Sequence, residues 1–302
     1  MNQKQKCRML KRIKNKAVIG FNNTYSLDKI IKQKIREEHF LDMALHSTEQ
    51  GVTEFNQNGE NIIVSLTTYS KRIFEVYLVI ESLLNQTKKP NKIILWLAED
   101  EFNENTIPLI LKRQQARGLE IGFCKDIKSY KKLIPTLKKY PDQIIITVDD
   151  DVLYPFDMVE NLYKEYLKDT HCIYGCTAHK MKFDKKNKLV SYNEWEINYQ
   201  GNEKSKLIFL VGGGGILYPP NCFHEDILKE DLFMKFVPSC DDVWFKAMTL
   251  LKDYPCKKIS QKEGMVMHEN QDIGLHHHNI KENKNDTGME QVFEYYPEIK
   301  LK

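Results

Sequence analysis

Residues 144–148 read Ile-Ile-Ile-Thr-Val, and the next three, Asp149, Asp150 and Asp151, are all aspartate. The apolar run shows no alternation of wet and dry positions, so it predicts a strand buried on both faces. Its surroundings fit that demand. From about residue 60 the chain alternates strand and helix signals: an apolar strand Ile62 to Leu66; Ile73, Val76, Tyr77, Ile80, Leu83 and Leu84 at helical spacing, with Ser70 as N-cap; a strand Ile93 to Leu97 after the break at Pro90 and Asn91; a polar helix over 105–117 ending at Gly118; a strand Leu119 to Cys124; a lysine-rich segment from Tyr130 to Tyr140; then the strand at 144. Asp157 caps a further helix whose stripe is Val159, Leu162, Tyr163, Tyr166 and Leu167. The expected fold class is α/β, a Rossmann-like, mostly parallel sheet with helices on both faces. After about residue 170 the alternation fades into short strand-like pieces (171–177, 208–211, 215–218) and Gly-rich, aromatic loops. These are expected to complete the sheet and form a second-substrate surface.

Three carboxylates at the mouth of a buried strand repel one another and gain nothing from burial. A divalent cation among them removes the conflict. In open α/β sheets ligands bind beyond the carboxyl ends of the strands. Thr67 and Thr68 end the first strand, Cys124 to Asp126 the third, and the aspartates the fourth, so three polar strand ends converge on one crevice. Hard oxygen ligands select Mg²⁺ or Mn²⁺, which share their coordination with phosphates and water, so the metal points to a phosphorylated substrate. The competing account of the triplet is an acidic turn at a strand end.

The phosphates are not held by a P-loop. The Gly-rich run, Gly212 to Gly215, lacks the following Lys-Ser or Lys-Thr, and lies too far from the first strand for a dinucleotide fingerprint. Metal and cations must meet the charge instead: Arg72 past the first strand, and Lys131 or Lys132 past the third. A solvated helix face is the plain alternative for the lysines. The glycines, with Gly213 and Gly214 at the centre, let backbone approach a sugar or let the loop move; a tight structural turn competes with that. A second acidic pair, Asp241 and Asp242, opens a helical stripe of Val243, Ala247, Leu250 and Leu251. One acid suffices for a cap, so the other is available as general base on an incoming hydroxyl. His276, His277 and His278, with His268 nearby, are candidates to complete a metal shell or members of a solvated loop.

Composition sets the limits. At 302 residues, 41% apolar and 29% charged, the chain reads as an ordinary soluble globular protein of one large domain or two small ones. No apolar stretch reaches the roughly 18 residues of a membrane span, and no signal-peptide core opens it, so a cytoplasmic location is expected. Residues 1–16 hold seven Lys or Arg and no acid, more than the whole chain's net +3, so the body is mildly acidic. That argues against a nucleic-acid partner. It leaves a basic arm, interleaved with Met9, Leu10 and Ile13, that either lies on an anionic membrane at the inner face of the plasma membrane or is a solvated tail. The cysteines are odd in number, seven, which fits free thiols in a reducing compartment.

Four segments in this order, Ser65-Leu-Thr-Thr-Tyr-Ser-Lys-Arg72, Glu81-Ser-Leu-Leu-Asn-Gln86, Lys92-Ile-Ile-Leu-Trp-Leu97 and Thr147-Val-Asp-Asp-Asp151, with Asp241-Asp242 before Trp244-Phe245, resemble bacterial glycosyltransferases of the GT-A fold, family-2-like enzymes of capsule, lipopolysaccharide and exopolysaccharide assembly. The likeness runs from about residue 60 to about 290 and does not reach residues 1–59. It implies a basic extension over 1–59 and a transferase domain over 60–302, divided into a nucleotide-binding half (60–155) and an acceptor-binding half (156–302). It implies a nucleotide-sugar donor, usually a UDP-sugar, Mn²⁺ or Mg²⁺ on the diphosphate, and a glycan or lipid-linked acceptor. By this resemblance Thr67, Tyr69, Arg72, Asp126, Lys132 and Asp150, with Gly213 and Gly214, surround the donor. Asp149 lies near ribose or metal, Asp151 ligates the metal with His278, and Asp241-Asp242 matches a Glu-Asp pair with Asp242 at the base position. Tyr192 and Trp195 either stack on an acceptor sugar or belong to the core. Two rival functions stand beside this one: a sugar-phosphate nucleotidylyltransferase, which normally opens with a Gly-rich loop that Thr67 to Arg72 does not contain, and a non-catalytic nucleotide-sugar or glycan-binding protein.

Overall fold

Four parallel strands form one side of the central sheet: β1 (Ile62–Thr67), β2 (Lys92–Ala98), β3 (Leu119–Cys124) and β4 (Ile144–Thr147), in the order β3-β2-β1-β4. They belong to a computed structural model that describes residues 30–260, 266–267 and 284–301. The sheet continues past β4 with β10 (Ile216–Tyr218), β6 (Ile173–Gly175), β11 (Cys256–Lys258) and β8 (Lys204–Ser205); β10 and β8 run against the other six. This is the mostly parallel, Rossmann-like α/β arrangement expected from the sequence, with helices on both faces.

The apolar runs are continuous because both faces are covered. Side chains alternate along a strand. Ile62, Val64 and Leu66 of β1 and Ile144 and Ile146 of β4 enter one core layer, where α2 (Val76–Leu84) and α5 (Met158–Tyr166) supply Val79, Ile80, Leu83, Val159 and Leu162. Ile145 points to the opposite layer, with Tyr130, Phe233, Trp244 and Phe245. The fully buried Ser65 also needs a partner, and Thr136 Oγ1, 2.7 Å away, provides it while accepting from Trp96 Nε1 at 2.6 Å.

A helix over residues 30–46, here α1, precedes the sheet. Its Phe40 is fully buried in the first core layer, so that core takes in side chains from before residue 60. A buried ion pair anchors the segment after it. Arg117 Nη1 lies 2.6 Å from Glu81 Oε1, while its Nε donates to Glu49 O and its Nη1 to Met43 O.

Several local expectations change. Ser70 does not cap a long helix: it sits at φ 51° and starts a 3-10 turn (Ser70–Phe74), and α2 begins only at Val76. The polar helix shortens to α3 (Leu109–Gln115), and Gly118, at φ 110°, turns the chain into β3. Asp157 stands at the start of α5 without a side-chain capping bond. Tyr192 and Trp195 belong to the core: both are buried, and Trp195 Nε1 donates to Val190 O. The lysine-rich stretch is solvated only in part: Lys138 and Lys139 are exposed. It is a 3-10 turn (Lys128–Lys132) and α4 (Ile134–Lys139), and Lys131 and Lys132 are both buried. Among the described residues no helix is long and apolar enough to cross a membrane. The basic segment 1–16, His268 and His276 to His278 lie outside the described residues.

Candidate active site

β10 builds the site. It runs antiparallel to β4 with Ile216 opposite Thr147, so the residues before Ile216 meet the residues after Thr147. Gly212 to Gly215 are therefore delivered to the mouth of β4, against Asp149. Tyr154 fastens the two: its Oη accepts from the Asp149 amide at 2.8 Å and donates to Gly213 O at 3.2 Å. Packing and backbone geometry require glycine at 214 and 215 and crowd Gly212, whereas a Cβ on Gly213 would meet only Asp149 Oδ2 at 3.4 Å. A Cβ on Gly214 would lie 2.6 Å from the Thr177 amide nitrogen, and Gly215 sits at φ 80°. On Gly212 a Cβ would meet Lys132 Nζ at 2.7 Å and Asp242 Oδ1 at 2.9 Å.

The three aspartates divide by environment. Asp150 turns inward, its side chain only 9% exposed, accepting from Thr68 Oγ1 at 2.5 Å and pairing with Arg72 Nη2 at 2.6 Å. Burial pushes its carboxyl up to about 7, against the pull of Arg72 and Thr68. Asp151, 20% exposed, shares Arg72 through Oδ2 at 2.9 Å. Asp149 is the most open at 33%, with Oδ1 2.9 Å from Lys132 Nζ. Asp149 and Asp151 thus each commit one oxygen to a cation and turn a partly exposed carboxylate to the cleft. Burial works against the Arg72 charge, but Asp150 and Asp151 beside it outweigh that, so Arg72 stays charged.

The second acidic pair opens α7 (Asp241–Leu251) after Cys240 at the cap position. The two acids separate as clearly as the triplet does. Asp241 is held from both sides by the turn after β3: Ser129 Oγ donates to Oδ1 at 2.8 Å, and Lys132 Nζ is 2.9 Å from Oδ2. Asp242 Oδ2 accepts from the Gly212 amide at 3.0 Å, while its Oδ1 is buried without a hydrogen-bond partner. Burial pushes the Asp242 carboxyl up to about 7; Lys132 and the Gly212 amide oppose this, and Asp241 and Asp149 add to it.

The other residues singled out in the sequence fall around this cleft unevenly. Thr67 Oγ1 donates to Trp96 O at 2.8 Å and is spent on the sheet. Tyr69 lies under the Arg72 guanidinium, 5.4 Å from ring centre to Cζ. Asp126 pairs with the buried Lys131; burial opposes ionisation there, but Lys131 and the Lys128 amide hold its carboxyl below the usual value. Thr68, expected at the strand end, donates to Asp150; Ser129 and Tyr154 were not among the expected site residues. Tyr154 carried the only local signal, an aromatic three residues past the triplet; nothing near Ser129 points to Asp241.

The donor chemistry fits a hard cation. Two part-exposed carboxylates flank one strand end. Among the described residues no group of three His, Cys, Asp or Glu gathers to enclose an ion, so an ion held by Asp149 and Asp151 would complete its shell from substrate oxygens and water. A two-stranded ladder reaches the same place: β5 (Val152–Leu153) pairs antiparallel with β12 (Val266–Met267), Met267 opposite Val152.

No protein-family model matches the chain, and no curated protein does. Solved structures that resemble it include a mannosyltransferase from Pyrobaculum calidifontis in complex with GDP-Man and Mn²⁺ (15% identity, 89% of this chain and 71% of that one, TM-score 0.47). They also include S. aureus TarS 1–349 in complex with UDP (13%, 70% and 61%, TM-score 0.43), and a putative glucose-1-phosphate thymidylyltransferase from Bacillus anthracis in complex with a sucrose (10%, 76% and 96%, TM-score 0.45). The likeness is distant, and the chemistry rests on the cleft's own residues.

Proposed function

We propose that the chain is a metal-dependent glycosyltransferase that moves a sugar from a nucleotide-sugar, a UDP-sugar in the first instance, to a hydroxyl of a glycan or lipid-linked acceptor, with inversion. The observation that carries this reading is the pairing, across one glycine-lined cleft, of two part-exposed carboxylates with a carboxyl poised near neutrality. Asp242 has the proton affinity suited to a general base at neutral pH. The Asp242 carboxylate takes the proton of the acceptor hydroxyl once substrate binding opens access to it, while the Gly212 amide holds Oδ2 and fixes the direction of the carboxyl. The acceptor oxygen bonds to the anomeric carbon as that carbon's bond to phosphate oxygen breaks, and the nucleoside diphosphate leaves with the electron pair. Mn²⁺ or Mg²⁺ held by Asp149 and Asp151, when bound, supplies positive charge for that leaving group. Arg72, fixed by Asp150 and Asp151, adds a permanent charge beside them. Asp241, with both oxygens on Ser129 and Lys132, supports the turn beneath and leaves the proton transfer to Asp242.

The test is incubation with a panel of UDP- and GDP-sugars plus Mn²⁺, with and without acceptor glycans. Release of free nucleoside diphosphate is the expected result. Binding without turnover on every acceptor would leave a binding module in its place. In the same assay Asp151→Ala is expected to remove the metal-dependent part of nucleotide binding; binding that keeps its metal dependence would sink the assignment of the triplet.

A further inference from the structure

Lys132 ends the 3-10 turn after β3 and is buried between Asp149 and Asp241. Its ammonium is 2.9 Å from Asp149 Oδ1 on the β4 side and 2.9 Å from Asp241 Oδ2 at the head of α7. It fills the space that a Cβ on Gly212 would need. A cation that binds phosphate from solvent keeps its donors facing the ligand. This one spends its charge on two carboxylates that belong to opposite walls and to distant parts of the sequence. Asp149, Asp241 and Asp242 would repel one another without it, and the N-terminus of α7 would be free to draw back from β4.

We propose that Lys132 is a positioning residue, a buried tether that sets the distance between the donor-side carboxylate Asp149 and the acceptor-side pair Asp241–Asp242, and not a cation that holds the donor's phosphates. The inference rests on the transfer reading of the cleft. It goes further by giving the buried lysine a task the reaction needs: the base must stand within reach of the acceptor hydroxyl when the donor is seated, and a misplacement of about 1 Å costs on the order of 100-fold in rate.

The two roles separate in a comparison of binding with turnover. UDP with Mn²⁺ is titrated calorimetrically into wild type, Lys132→Met, Lys132→Arg and Asp241→Asn, and kcat and KM are measured on the sugar that wild type turns over. A tether predicts that Lys132→Met loses roughly 100-fold in kcat while UDP affinity in Mn²⁺ stays within about threefold of wild type or tightens, since Asp149 only loses a competitor for the metal. Asp241→Asn, which keeps the shape but removes the charge at the tether's other end, is expected to show the same split. Lys132→Arg, which keeps the charge, recovers most of the rate. UDP affinity weakened tenfold or more in Lys132→Met overturns the proposal in favour of a phosphate contact, and an unchanged kcat in either single variant overturns it as well. If Lys132→Met does not melt cooperatively, Asp241→Asn carries the same decision. Absence of turnover in wild type would instead count against the transfer reading, and the calorimetric arm alone would then decide whether Lys132 contacts phosphate.

Discussion

Asp242→Asn lowers kcat for sugar transfer by about 10²–10⁴-fold, while UDP affinity in Mn²⁺ stays within about threefold of wild type. The asparagine keeps the shape and still accepts from the Gly212 amide, so the loop and the start of α7 hold their places; what it loses is the capacity to take a proton. The pH dependence runs the same way. As the proposed base, Asp242 would act only when ionised, and burial has pushed its carboxyl up to about 7, so protonation would remove the base as the pH falls through neutrality. In wild type, kcat/KM is expected to fall about tenfold per pH unit below that point and to level off above it. The groups that set the limb are Lys132, Asp241 and Asp149, together with the Gly212 amide. Residual transfer in Asp242→Asn should lose the part of this limb that Asp242 sets and keep only what Asp150, also pushed up to about 7, contributes. A collapse of UDP affinity in the variant would mean that Asp242 binds donor and the base lies elsewhere.

The second large effect concerns stability. Arg117→Met is expected to lose about 3–5 kcal/mol of unfolding free energy, because it leaves the fully buried Glu81 carboxyl short of its cation. Gln114 Nε2 at 2.8 Å and Asn85 Nδ2 at 3.2 Å still donate to the Glu81 carboxylate, but amide donors do not neutralise a charge. The variant also takes the Arg117 donor from Glu49 O, so the segment between α1 and β1 loosens with it. Urea unfolding followed by circular dichroism measures the loss. Arg117→Met combined with Glu81→Met should regain much of it, since a matched apolar pair carries no stranded charge. A single-variant loss under about 1 kcal/mol would show that water reaches Glu81.

The first four strands and the position of the triplet were legible in the sequence because each depends on a local pattern. Ile62–Thr67, Lys92–Ala98, Leu119–Cys124 and Ile144–Thr147 are apolar runs bounded by breakers, and burial on both faces removes any alternative for them. The short strands after residue 170 carried weaker signals, since three residues such as Ile216–Tyr218 acquire strand character only from the neighbours they pair with. The helix start at Ser70 was misread for a related reason. Ser is a common N-cap, but here the chain first makes a 3-10 turn that brings Arg72 to Asp150 and Asp151, and the ion pairs outweigh the capping preference.

The sequence by itself determined that hard carboxylates end a doubly buried strand, and that a second acidic pair opens a helix beside a run of glycines. Composition and periodicity suffice for that. Only the tertiary structure decided which surroundings each acid meets. Asp150 is turned inward onto Arg72, Asp149 and Asp151 remain part-exposed, Asp241 is tied to Ser129 and Lys132, and Asp242 keeps one buried oxygen without a partner. A carboxyl's proton affinity follows from its burial and from charges within a few ångströms. Those neighbours come from β4, from the turn after β3 and from α7, which the antiparallel pairing of β10 with β4 closes into a single cleft.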